Sequence, residues 1–79
     1  MFNNLTKEKK IEILESAIPF HEQVLYESII RLGLDPEEFD PDLFDGTEEN
    51  FGPQNLEFCK NAQKAIDALK LIQRQIESL

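Results

Sequence analysis

Positions Ile11, Leu14, Ile18, His21, Leu25, Ser28 and Leu32 follow one another in steps of 3-4-3-4-3-4. That repeat is one stripe of an α-helix. A second line of Ile13, Ala17, Phe20 and Val24 runs beside it and widens the buried face. Thr6 stands where a hydroxyl can cap the first turn. Pro19 falls inside the pattern and removes the N–H that would bond the carbonyl of Glu15. The periodicity stays in phase across it, which predicts a helix over roughly 6–32 kinked near Pro19. The rival arrangement is two helices, with Pro19 as the first residue of the second.

Past Pro19 the arm is apolar almost all round, through Phe20, Val24, Leu25, Tyr26, Ile29, Ile30 and Leu32. Such a helix needs cover on several sides, more than one partner helix supplies. Gly33 sits where a left-handed cap belongs, and Leu34 is placed to close back onto Ile29 in a Schellman ending.

The second arm has the cleaner pattern. Phe58, Ala62, Ala65, Leu69, Ile72, Ile76 and Leu79 are spaced 4-3-4-3-4-3 with no polar residue among them. This is a coiled-coil-like seam, widened by Cys59 and Ile66 on one edge and by Ala68 on the other. Pro53 suits the first helical position, with Asn55 as the alternative cap, so the helix covers about 53–78. The seams 11–32 and 58–79 each span 22 residues, or ~32 Å at ~1.5 Å per residue. Equal lengths predict arms packed side by side, with Ala62 and Ala65 allowing close approach. The expected fold is therefore all-α: one small helical domain over 1–79, with two long antiparallel helices and a connector at 34–52. The surplus apolar surface of the first arm predicts a homodimer, a four-helix bundle meeting through Phe20, Val24, Tyr26 and Ile30.

Charge changes the picture only in the connector. The net charge is −8, and residues 35–51 hold eight carboxylates with no Lys or Arg. These are Asp35, Glu37, Glu38, Asp40, Asp42, Asp45, Glu48 and Glu49, interleaved with Phe39, Phe44 and Phe51. The flanking arms nearly cancel, at −1 and +1. Asp35-Pro36-Glu37-Glu38 and Asp40-Pro41-Asp42 both read as an N-cap, a Pro and helix-starting acids. They predict one or two single-turn helices ending at the Asp45-Gly46 turn. The aromatics rule out a flexible linker and predict a segment pinned over one end of the helix pair.

The same acidity disfavours direct contact with nucleic acid, whose phosphates require Lys and Arg. It suits a protein partner with a basic surface. No apolar run reaches the ~18–20 residues of a membrane span. The start, Met1-Phe2-Asn3-Asn4-Leu5, has no signal-peptide pattern. One cysteine cannot form an intrachain disulfide, which fits a reducing, cytoplasmic setting.

Catalytic patterns fail on inspection. His21-Glu22 does not extend to a zinc motif, because position 25 is Leu, and His21 lies in the helix seam. Asp40 to Gly46 resembles a calcium loop, but the fifth and sixth positions hold Phe44 and Asp45, out of register. Cys59 has no histidine nearby to act as base. Lys60, Lys64, Lys70 and Arg74 read as a solvated helix face, or as a dock for the acidic connector of a neighbouring subunit. No enzyme, metal or cofactor is expected. Two functions follow. The first is a small acidic regulator or inhibitor that binds a larger protein through its connector at Asp35, Glu37, Glu38, Asp40, Asp42, Phe44, Asp45, Glu48 and Glu49, in the manner of a nucleic-acid mimic. The alternative is a self-assembling helical module with a structural or ligand-holding role.

Overall fold

The structure, a computed structural model, describes residues 5–79. Among them there is no strand. The order is α1 (Lys7–Ser16), α2 (Ile18–Arg31), a 3-10 turn at Pro41–Leu43, α3 (Glu48–Phe51), a second 3-10 turn at Pro53–Asn55, and α4 (Leu56–Glu77).

The Thr6 hydroxyl caps α1 by accepting from the Lys9 N–H at 3.1 Å. One residue then interrupts the first arm. The Ala17 N–H donates to the Leu14 carbonyl at 3.2 Å, a 3-10 bond, while the Ser16 hydroxyl takes the Ile13 carbonyl at 2.6 Å. Helical bonding resumes with the His21 N–H on the Ala17 carbonyl. Pro19 is the second residue of α2, where its missing N–H is no loss. Ala17 keeps right-handed helical angles (φ −84°, ψ −15°), so the apolar pattern stays in phase across the break. Two helices with a shared register reconcile both sequence readings.

Gly33 ends α2 at φ +82°. The Leu34 N–H donates to Ile29 at 2.9 Å and the Gly33 N–H to Ile30 at 3.0 Å, the two bonds of a Schellman ending. Leu34 packs on the core beside Ile29, as expected.

α4 runs antiparallel to the first arm. Arg31, at the end of α2, lies over Phe58 near the start of α4, while Leu14 of α1 shares a cleft with Gln75 and Leu79. The core belongs to α2 and α4: Leu25, Ile29, Ala62, Ala65 and Ile66 form one buried cluster. Val24, Leu34, Phe39, Phe44 and Leu69 pack around it, half-buried. Ser28 is buried without cost, its hydroxyl bonded to the Val24 carbonyl at 2.8 Å.

Two expectations shift. Cys59 and Ile66, placed at the seam edge by their spacing, are among the most buried residues, whereas Phe58, Leu69 and Ile76 are only half-buried. The reason is the connector, which covers that flank of α4 and moves the centre of burial toward it. α1 contributes no buried residue, so the far end of the pair is thinly covered. The molecule measures 48 × 23 × 18 Å with a radius of gyration of 15.2 Å, against about 12 Å for a compact chain of this length.

Candidate functional site

The connector forms by the local chemistry its sequence encodes. Asp35 accepts the Glu37 N–H at 2.9 Å, and Asp40 accepts the Asp42 N–H at 2.9 Å. Only the second Asp-Pro unit continues into a 3-10 turn. Beyond Gly46, Thr47 caps the short α3 by accepting from the Asn50 N–H at 3.3 Å, and Asn50 donates to the Asp45 carbonyl at 3.1 Å. This extra turn was not expected, and it brings Phe51 back toward the other rings. Gly52 (φ +83°) then redirects the chain into α4.

Three phenylalanines gather in the connector. The Phe44 ring sits 5.6 Å from that of Phe39 at 62°, and 5.9 Å from that of Phe51 at 39°. Gly46 allows this close packing. A Cβ there would fall 2.8 Å from the Phe44 ring and 3.1 Å from the Cys59 Cβ. The connector is therefore laid directly on α4 at Cys59. Lys70 of α4 fastens it from the side through a 2.8 Å ion pair with Asp42.

The outer face of this aromatic group is a concavity of about 440 Å³. Leu34, Phe39, Leu43, Phe44 and Phe51 line it, and Asp35, Glu38, Asp40 and Asp45 stand at its rim with Asn50. Leu43 is 80% exposed and extends the apolar surface that the rings open to solvent. All eight connector carboxylates are exposed. Sequence reasoning thus named five residues that converge here, Asp35, Glu38, Asp40, Phe44 and Asp45. Of the others, Asp42 is paired with Lys70, and Glu37, Glu48 and Glu49 lie outside the concavity. Leu34, Phe39, Leu43, Asn50 and Phe51 were missed as site residues. Their ring spacing of five and seven residues matches no helix or strand period, so only the turns reveal that they meet.

The residues expected at a subunit interface divide. Phe20 (68% exposed), Ile30 (58%) and Tyr26 (43%) face outward on α2, but Val24 is half-buried against the core of its own chain. At the far end, Leu5, Ile13, Leu14 and Leu79 border a second cleft of about 390 Å³.

His21 is half-buried with its ring edge-on to Phe20 at 5.3 Å. Burial pushes the Cys59 thiol up, away from the reactive thiolate. Among the described residues, no group of three or more His, Cys, Asp or Glu is placed to hold a metal ion. No described helix is long and apolar enough to cross a membrane. Comparison with known proteins returns no matching family model, no similar curated protein and no similar solved structure.

Proposed function

We propose that this chain is a non-enzymatic interaction protein, a regulator or inhibitor that engages a larger protein carrying a basic surface through the connector. One observation carries the reading. The Phe39–Phe44–Phe51 group opens to solvent in a concavity also lined by four carboxylates that lack any described ion-pair partner. Solubility alone calls for exposed acids but not for aromatics between them. Eight clustered carboxylates present a basic partner with the charge it otherwise meets on a nucleic-acid backbone. A free, buried Cys59 suits the reducing cytosol.

The test is capture from the native host with wild-type protein and with Asp35→Asn, Glu38→Gln, Asp40→Asn, Asp45→Asn combined. This variant spares the Asp42–Lys70 pair, and asparagine preserves the turn bonds at positions 35 and 40. A partner retained by wild type and lost by the folded variant supports the reading. A partner held equally by both defeats it.

Self-association is a second reading with its own observation. The protein exposes 5978 Å², whereas a monomer of 9.2 kDa is expected to expose about 4,900 Å². The excess is comparable to the ~800 Å² that each partner buries in a standard interface. A homodimer through Phe20, Tyr26 and Ile30 would form a four-helix bundle and leave the connector open. Sedimentation at high micromolar concentration should then give twice the chain mass, and Phe20→Glu with Ile30→Glu should return the monomer. A wild-type chain that stays at 9.2 kDa removes this reading and leaves the first intact.

A further inference from the structure

We propose that the connector concavity reads an arginine side chain presented by the partner, which deepens the connector reading above and rests on it. The floor is apolar and aromatic, so its occupant must offer an apolar or planar surface. Asp35, Glu38, Asp40 and Asp45 line the concavity too, so the occupant must also carry positive charge at its end. Its size, about 440 Å³, lies within the range of side-chain and small-molecule pockets. A divalent metal does not suit a floor of phenyl rings, and a phosphate or lipid headgroup is repelled by the carboxylates.

Lysine and arginine both satisfy charge, but the floor separates them. A guanidinium is planar, stacks on aromatic faces and donates in a fork to carboxylates, whereas an ammonium is a compact, strongly hydrated charge. The molecule already contains the arginine arrangement elsewhere. The Arg31 guanidinium lies 5.3 Å from the Phe58 ring centre while its Nε donates to Glu27 at 3.3 Å. One guanidinium there meets a phenyl ring and a carboxylate together. The concavity offers the same two elements in its lining, the Phe39 and Phe44 rings with the Asp35 and Asp45 carboxylates, without a guanidinium of its own. The chain's own lysine contact with the connector, Lys70 on Asp42, lies outside the concavity and touches no ring.

The experiment titrates the full chain, labelled with ¹⁵N, with three capped heptapeptides of alternating leucine and basic residue. One carries arginine, one lysine, and one citrulline, the neutral isostere of arginine. Amide shifts should move at Leu43, Phe44 and Asp45, and arginine should bind about three- to fivefold more tightly than lysine. Citrulline should not saturate. Leu43→Ser, at an exposed position the core does not use, should weaken the arginine peptide about threefold or more, while Leu71→Ser on α4 leaves it unchanged. Equal affinity for lysine and arginine, shifts that map to the helices, or an unaffected Leu43→Ser variant would each overturn the proposal. A host partner lost by the rim-neutralised chain, in the absence of arginine preference, leaves the broader connector reading standing. A partner held equally by that chain defeats both.

Discussion

Ile29 and Ile30 are adjacent in sequence and opposite in environment. Ile29 is fully buried and Ile30 is 58% exposed. Truncating each to alanine therefore separates the core from the surface with one chemical change. Ile29 packs in a cluster with Leu25, Ala62, Ala65 and Ile66. Two of these neighbours are alanines, whose methyl groups have no rotamer with which to fill a vacated space. The cavity left by Ile29→Ala should then persist, and the loss should be ~2–5 kcal/mol, toward the upper half. A chain of 79 residues has a total stability of roughly 4–12 kcal/mol. The variant should be near the edge of unfolding. Ile30→Ala should stay within about 0.5 kcal/mol of wild type, since exposed truncations remove little.

Urea unfolding followed by helical circular dichroism measures both. With a slope of ~1 kcal/mol/M for so small a protein, Ile29→Ala should lower the midpoint by about 2 M or more. A shift no larger than that of Ile30→Ala would refute the packing described for α2. Running each curve at low and high protein concentration adds a second decision. A cost for Ile30→Ala that grows with concentration means that Ile30 is buried between copies.

Gly46→Ala should cost more than Gly33→Ala, although of these two only Gly33 has a positive φ. At Gly33 the new methyl meets open space and the loss is ~1–2 kcal/mol of left-handed strain, whereas at Gly46 it drives into the Phe44 ring and the backbone-anchored Cys59 Cβ; urea midpoints of the two variants decide this. The buried Cys59 thiol should resist alkylation in the native state and react readily in urea. Burial raises its pKa above the ordinary 9.0, so the stability it contributes is complete below that value and declines as pH rises through the higher folded pKa. A native thiol that reacts as fast as the unfolded one would refute its burial.

The helices were legible because a repeat of 3.6 needs only one covered face to declare itself. The Schellman ending was equally legible, since Gly33 and Leu34 act within a single turn. What periodicity cannot say is which edge of a stripe a third element will cover. Cys59 and Ile66 looked peripheral for that reason, and the connector made them central. The break near Pro19 was legible only as the rival of a kinked helix, and its place at Ala17, beside the Ser16 hydroxyl bonded to the Ile13 carbonyl, came from the structure. The concavity was half legible. Charge and aromatic content marked the connector, but α3 folds back beyond the Gly46 turn, and only that return sets Phe51 against Phe44.

The connector also breaks a local rule. Eight like charges lie within residues 35–49, and the single described ion pair they make, Asp42 with Lys70, is exposed and worth ~0–1 kcal/mol. Their mutual repulsion opposes the compact state, while the Phe39, Phe44 and Phe51 contacts offset it. Beyond the turn bonds of Asp35 and Asp40 the charges return little stability, an arrangement expected where a surface is used for recognition. Salt separates the two roles because it acts on them with opposite signs. Screening at 1 M shortens the Debye length to ~3 Å from ~10 Å at 0.1 M. It relieves the repulsion between carboxylates and weakens attraction to a basic partner. From 0.05 to 0.5 M sodium chloride the unfolding midpoint should rise slightly, while partner or arginine-peptide affinity falls by about tenfold or more. Stability and affinity that fall together would mean that the carboxylates support the fold through ion pairs. Affinity indifferent to salt would move the recognition surface to the exposed apolar residues of α2, Phe20, Tyr26 and Ile30.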